Sequence, residues 1–309
     1  MGDLNFIMTI GPSGSGKSTY IESFNSVGYD IHSSDALREE LLGDVNDQSH
    51  NAYIFTQMLN RTINSLSKGR SVVYDATNLN SRRRTNLLYR LKKEFPELKT
   101  YAMVSITTPE NCIGRRALSD RPVPAEVIMR QIKSFEVPTK SEGFDEILLH
   151  FTESSEYRNQ YCLNLFEKAI TMNHDNPHHP NSTIYGHSLN VFTAMIENCG
   201  DNFKNNEELY RIGMYHDIGK VFTKTFDDEG IAHYFNHEKV SAYLYLLAFG
   251  DNTLPNDIIL KEAFVIGNHM RHFSYKNNME KYHEWRSRLD SETDKLLVRL
   301  TLADSMDSI

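Results

Sequence analysis

Cysteine is scarce in this 309-residue chain. The three present, Cys112, Cys162 and Cys199, are odd in number, widely spaced and outside any CxxC pair, which argues against a disulfide framework or a cysteine-ligated zinc site. Long apolar runs are also missing. No stretch approaches the roughly 18 consecutive apolar residues of a membrane span, and no basic leader precedes the first apolar segment. These absences predict a cytoplasmic protein with no membrane partner. Internal repeats, low-complexity tracts and long Pro/Gly/Ser linkers are lacking too. A net positive charge is absent overall: the formal charge is -8. Residues 1–150 hold 18 Lys+Arg against 18 Asp+Glu, and residues 151–309 hold 15 against 23. Of the 13 histidines only His32, His50 and His150 fall in the first half. A neutral half with arginine clusters can bind a polyanion, whereas an acidic, histidine-rich half is suited to cations. Two chemistries are expected.

What is present fits two domains of ordinary size. Short apolar runs at 4–10, 29–34, 71–74, 100–107 and 147–151 alternate with helix-compatible stretches at 17–26, 52–67, 83–94, 109–119 and 125–135. This alternation predicts an α/β domain over residues 1–152, a parallel sheet with helices on both faces. Beyond it the strand signal fades and the apolar spacing becomes helical, predicting an all-α domain over 153–309.

Between the first strand and first helix lies Gly11-Pro12-Ser13-Gly14-Ser15-Gly16-Lys17-Ser18, a match to GxxxxGK(S/T) in the required strand–loop–helix context. Such a loop wraps phosphates with its backbone N–H groups and the helix N-terminus. Gly11, Ser13, Gly14, Ser15, Gly16, Lys17, Ser18 and Thr19 are therefore candidate nucleotide ligands. Lys17 would reach the β/γ oxygens and Ser18 would ligate Mg²⁺. Asp35, after the second strand, is either a base for an attacking hydroxyl or a helix cap. Arg38 lies on the same helix face, placed to hold a substrate anion. Asp75 is either a carboxylate near Mg²⁺ or a turn residue. Arg115, Arg116 and Arg121, before Pro122-Val123-Pro124, suit a phosphate-clamping lid or an exposed helix face. Arg82-Arg83-Arg84 is either a phosphate-tracking patch or a solvated helix start.

The order and spacing of Gly11 to Ser18, Ser34-Asp35-x-x-Arg38, Asp75-Ala76-Thr77-Asn78, the arginine-rich lid with Val123-Pro124, and Glu142-Gly143-Phe144-Asp145-Glu146 resemble the P-loop kinase domain of the polynucleotide kinase family. The resemblance implies transfer of the ATP γ-phosphate to a polynucleotide 5′-hydroxyl, with Asp35 as general base, Arg38 on a substrate phosphate, and Arg116 and Arg121 among the lid arginines on ATP. Family lids often carry arginine where Ser119 stands, so the choice among Arg115, Arg116 and Arg121 stays open.

In the second half, His216-Asp217 falls in the helix-compatible stretch 209–220. Adjacent residues point about 100° apart on a helix, so a shared cation needs further ligands from other helices. His187, His237, His269 and Asp304 are available in apolar helical surroundings. Imidazole with carboxylate suits Mn, Fe, Co, Ni or Zn better than Mg alone. The pattern H…HD…H…H…D, with Lys220 three residues after the pair, resembles the HD phosphohydrolase superfamily. Pro177-His178-His179 and Phe235-Asn236-His237-Glu238 resemble the HD domains of RNA end repair and tRNA maturation. By that resemblance His187, His216, Asp217 and Asp304 hold one metal, and His237 and His269 hold a second with Asp217 bridging. Asp217 and Lys220 then serve catalysis. His272 is an alternative to His269, and His178 and His179 either contact substrate or pack at the mouth.

The joint expectation is a bifunctional enzyme for RNA or DNA ends, a 5′-hydroxyl kinase with a metal-dependent 3′-phosphatase that also acts on 2′,3′-cyclic phosphates, working beside a separate RNA ligase. The alternative is a nucleoside or small-molecule kinase joined to an HD nucleotide hydrolase or to a non-catalytic HD sensor. Trp285, within the aromatic and basic stretch 275–288, either stacks on bases or packs into the core.

Overall fold

The structure, a computed structural model, describes residues 4–25, 28–175, 182–197, 206–250 and 254–306. The chain divides into two compact units, residues 1–131 with 138–152, and residues 132–137 with 153–309.

The first unit runs β1 (Asn5–Ile10), α1 (Lys17–Asn25), β2 (Asp30–Ser33), α2 (Ser34–Leu42), α3 (Asn51–Ser67), β3 (Val72–Asp75), α4 (Ser81–Glu94), β4 (Lys99–Ile106), α5 (Pro109–Ala117), α6 (Ala125–Ile132) and β5 (Glu146–Phe151). All five strands are parallel, in the order β2-β3-β1-β4-β5. Phe6 to Ile10 and Ala102 to Ile106 are buried without alternation, which requires helices on both faces of the sheet. β1 is followed by a crossover to β2 on one side, whereas β3 leads to β4 on the other. The carboxyl ends of neighbouring β1 and β3 therefore flank the crevice where open α/β sheets bind ligands.

The second unit is helical: α7 (Ser155–Thr171), α8 (Ile184–Glu197), α9 (Asn206–Tyr215), α10 (Lys220–Thr223), α11 (His237–Phe249), α12 (Asn256–Asn268), α13 (Arg271–Ser274), α14 (Met279–Arg286) and α15 (Ser291–Met306). A two-residue antiparallel pair, β6 (Thr225–Phe226) with β7 (Ala232–His233), precedes α11. α11 is apolar around its circumference, and Val240 to Ala248 are all buried, as befits a central helix. Helix α9 stops at Tyr215, and residues 216–219 form turns, so the His216-Asp217 pair lies just beyond a helix rather than inside the continuous stretch expected from the sequence. Gly219 lets the turn fit against its neighbour. A Cβ there would lie 2.3 Å from the His237 carbonyl oxygen and 2.7 Å from the Ser241 amide nitrogen. Only glycine lets this turn touch the start of α11, where its N–H donates to Ser241 Oγ at 2.8 Å. No helix among the described residues is long and apolar enough to cross a membrane.

Candidate phosphate and metal sites

In the first unit the glycine-rich loop leaves β1 and enters α1. Gly14 has φ +84°, and a Cβ on it would meet the Cys112 carbonyl oxygen at 2.4 Å, so both conformation and space demand glycine. The Lys17 ammonium donates to the carbonyls of Gly11 and Pro12 at 2.9 and 2.7 Å. Enclosure lowers its pKa, against the raising pull of Asp75 and Asp35. Ser18 and Thr19 stand exposed on the first turn of α1. The loop is braced from two sides: the Gln131 side chain accepts from Ser13 N–H at 2.7 Å, and the Thr77 carbonyl accepts from Gly11 N–H at 3.0 Å. The Ser15 hydroxyl is buried without a hydrogen-bond partner.

Asp75 ends β3, where Thr9 Oγ1 donates to it at 3.0 Å and Asn78 Nδ2 donates to the Thr9 carbonyl at 2.7 Å. Asp35 lies in the first turn of α2, after the Ser33 cap position. Its two oxygens receive Arg38 at 3.0 Å and Arg121 at 2.7 Å. Arg38 is buried and also donates to Asn51 Oδ1 at 2.7 Å. Arg116 donates to the Arg121 carbonyl at 2.5 Å, and burial, then the Arg121 charge, lowers its pKa. Arg115 reaches the Gly14 carbonyl at 3.4 Å. The chain thus brings Asp35, Arg38 and Arg121 together and folds Arg115 onto the loop.

The arginine triplet behaves differently from either sequence expectation. Arg82 and Arg83 are exposed, but Arg84 is 1% exposed and paired with buried Glu142, Nε and Nη2 each donating at 2.7 Å. Its Nη1 donates to the Asn78 and Leu79 carbonyls at 3.0 Å. Arg84 therefore fixes the loop that follows Asp75. Sequence reasoning missed this because three consecutive arginines on a helix look alike until the packing face is known.

In the second unit six side chains from five segments converge. His187 (α8), His216 and Asp217 (the turn after α9) and Asp304 (α15) form one group, and Asp217, His237 (first residue of α11) and His269 (just past α12) form another; within each, the potential ligand atoms lie within 4.8 Å of one another. Asp217 belongs to both. Its Oδ2 lies 3.2 Å from His187 Nε2 and 3.4 Å from His216 Nε2, and its Oδ1 lies 3.0 Å from His237 Nε2 and 3.8 Å from His269 Nε2. Asp304 Oδ1 lies 3.1 and 3.7 Å from the Nε2 atoms of His187 and His216.

The donor chemistry fits cations. His216, His237 and His269 each place Nδ1 2.7 Å from a backbone carbonyl, those of Gly213, Tyr234 and Ile266. A carbonyl only accepts, so each Nδ1 carries a proton, and Nε2 is the ring atom each histidine turns to the centre. His237 and His269 face each other Nε2 to Nε2 at 3.3 Å, a spacing that a cation between them would suit. Both Asp217 oxygens are buried and lack a hydrogen bond of good geometry. Burial, with the neighbouring imidazoles of His216 and His237, pushes His269 down to about 3. Burial alone would raise Asp217, but Lys220, His216, His237 and the His187 hydrogen bond outweigh it and hold the carboxyl well below the usual range.

Lys220 Nζ lies 2.5 Å from Asp217 Oδ2 and 3.3 Å from His174 Nε2. His174, buried and 3.0 Å from Ser182 Oγ through Nδ1, was not singled out by the sequence; the only signal was histidine density. His272 lies outside the cluster, its Nδ1 donating to the His269 carbonyl at 3.0 Å. Trp285 is half-buried under the Arg271 guanidinium at 4.1 Å. His178, His179 and Cys199 lie outside the described residues.

Fold and sites together define a kinase-like P-loop domain joined to a helical domain with a paired His/Asp cluster. Residues 6–138 match the AAA domain family and residues 184–309 the HD domain family, so the chain carries a P-loop kinase-like AAA domain followed by an HD domain whose span includes every residue of the cluster. The P-loop domain implies a nucleotide with Mg²⁺, and the HD domain divalent metals. No curated protein matches the chain by sequence. Among solved structures it is similar to a protein from Chloroflexus aurantiacus j-10-fl assigned as a kinase (13% identity, 54% of this chain and 98% of that one, TM-score 0.41). It is also similar to a chain of the Pnkp1/Rnl/Hen1 RNA repair complex (18%, 43% and 44%, 0.37) and to a gluconokinase from Sinorhizobium meliloti 1021 (18%, 53% and 97%, 0.36). Likeness at this level does not choose a substrate.

Proposed function

We propose that the chain is a bifunctional healer of nucleic-acid ends, RNA first. The P-loop domain phosphorylates a 5′-hydroxyl, and the HD domain removes a 3′-terminal phosphate and opens 2′,3′-cyclic phosphates. The observation that carries the reading is Asp217 spread between two histidine pairs in the same chain as a P-loop with its own arginine-held carboxylate. One site is furnished for phosphoryl donation, the other for phosphate removal. Strand scission that leaves a 5′-hydroxyl and a phosphorylated 3′ end creates both needs at one break.

On the kinase side, Asp35 accepts the hydroxyl proton on a carboxylate oxygen while Arg38 and Arg121 hold it in place. Arg38 also meets a substrate phosphate, Lys17 the β/γ oxygens, and Arg115, Arg116 and Arg121 the transferring group. Ser18, with Asp75 nearby, would hold Mg²⁺, which would supply neutralisation of the ATP phosphates. On the HD side, His187, His216, Asp217 and Asp304 would hold one divalent ion and His237, His269 and Asp217 a second, of the Mn, Fe, Co, Ni or Zn type. Such ions supply Lewis acidity toward a phosphoryl group. Lys220, steadied by Asp217 and His174, meets negative charge developing on the phosphoryl oxygens. The products, a 5′-phosphate and a 3′-hydroxyl, are the ends a separate RNA ligase takes.

Paired variants test the reading. Lys17→Ala removes 5′-phosphorylation and leaves 3′-phosphate release, and Asp217→Ala does the converse. Loss of both activities from either single change in a folded protein contradicts two independent sites. Phosphorylation of mononucleosides but not of oligonucleotides moves the assignment to a small-molecule kinase.

A further inference from the structure

Beside the HD cluster the second unit opens a pocket of about 370 Å³, within the roughly 300–1,000 Å³ of small-molecule sites. Its lining includes His237 from the His/Asp cluster and Lys220 beside it, and also Phe235 and Phe273. The two phenylalanines are 69% and 53% exposed. A scattered exposed aromatic needs no explanation, but two that line the same pocket as a metal-cluster histidine do.

The backbone aims them. Asn236 takes the left-handed conformation (φ +62°), so consecutive residues serve opposite ends: Phe235 stays exposed while the His237 ring is buried in the cluster. The Phe235 ring is preorganised. His233 stacks on it almost flat, with centroids 5.5 Å apart and an interplanar angle of 7°, and Asp227 Oδ2 holds His233 Nε2 at 2.8 Å. Between them Tyr234 is anchored by its hydroxyl to the His174 carbonyl. Asn236 and Glu238 add hydrogen-bonding groups to the lining. Flat aromatic surface with a few polar groups suits a planar heterocycle better than an alkyl chain or a bare sugar.

We propose that this pocket receives the nucleobase next to the scissile phosphate, stacked on Phe235 and Phe273, so that the HD site acts on base-bearing phosphates and not on phosphomonoesters at large. This rests on the phosphohydrolase reading of the cluster and names its substrate class. Phe235 and Phe273 are positioned to confer specificity, while Lys220 and His237 face the phosphate end.

Binding and turnover separate the two ideas. In the full chain carrying Lys17→Ala and Gly14→Ala, which together weaken the P-loop's hold on nucleotide phosphates, calorimetry compares adenosine 3′-monophosphate with 2-glycerophosphate. Base–aromatic stacking predicts at least about tenfold tighter binding of the nucleotide. Phe235→Ala and Phe273→Ala each collapse that preference by about tenfold, and Phe235→Tyr restores it. Both side chains are exposed, and circular dichroism checks that each variant is folded. Equal affinity for the two probes, or a preference intact in both alanine variants, overturns the pocket assignment. Phosphate release is then read with several divalent metals. Binding preference without release from either probe supports the pocket and contradicts the phosphohydrolase, whereas release from both with no binding preference does the reverse.

Discussion

Divalent metal should stabilise the HD unit itself, because its folded state already gathers two groups of potential ligand atoms within 4.8 Å of one another. His237 and His269 oppose each other at 3.3 Å, as do His187 and His216, and a cation turns each opposition into a bond. A metal present at 100 times its dissociation constant adds about 2.7 kcal/mol per site. For a domain of this size about 1 kcal/mol moves Tm by roughly 2–4 °C, so each site is worth about 5–11 °C. Both together predict a rise of roughly 10–20 °C. The assay is differential scanning calorimetry of chelator-treated protein titrated with Mn²⁺, Co²⁺, Ni²⁺ or Zn²⁺. Asp304→Asn, which touches one group, should lose about half the shift; Asp217→Asn, which touches both, should lose most of it. A shift below about 2 °C with every metal refutes the reasoning, and so does an Asp217→Asn response equal to that of the unsubstituted protein.

Other consequences concern both units. Glu142→Ala strands the 1% exposed Arg84 guanidinium, an uncompensated buried charge costing about 3–5 kcal/mol; urea unfolding of the first unit should show this, and a loss under about 1 kcal/mol sinks the assignment. Because Arg84 also holds the Asn78 and Leu79 carbonyls, the same variant should raise the KM for ATP. Gly14→Ala forces a Cβ to 2.4 Å from the Cys112 carbonyl at φ +84°, and binding of a fluorescent ATP analogue should weaken more than tenfold; near-normal binding contradicts the loop geometry. In metal-free protein His269 is held at about 3, below its ordinary 6.5. Unfolding lets it bind a proton that the native state refuses, so its contribution is present above about pH 6.5 and lost as pH falls toward 3. At 1.36 kcal/mol per unit that is about 4–5 kcal/mol, an upper figure readable as a falling urea midpoint; a flat profile across this window refutes it.

The parts of the molecule legible in the sequence are those where chemistry and spacing coincide. Gly11 to Ser18 carried its own strand–loop–helix context, and the side chains His187, His216, Asp217, His237, His269 and Asp304, which the fold brings together, stood out as a set although no single one did. What stayed hidden depends on packing at close quarters. The turn at 216–219 that follows α9 packs at Gly219 against α11, a contact with residues more than 15 positions away. Arg84 differs from Arg82 and Arg83 only by the face it presents. His174 reaches Lys220 from across 46 residues, with no local pattern to mark it, and Asn236, a residue type that tolerates the left-handed region, lies ahead of the helical spacing, where nothing fixes which conformation it takes.

The most direct test uses one short RNA with a 5′-hydroxyl and a 2′,3′-cyclic phosphate, incubated with the protein, ATP, Mg²⁺ and Mn²⁺, with both ends read by mass spectrometry. The account predicts gain of a 5′-phosphate and loss of the 3′-end phosphate on the same molecule. An RNA unchanged at both ends, under conditions where the protein is folded and metal-loaded, contradicts it.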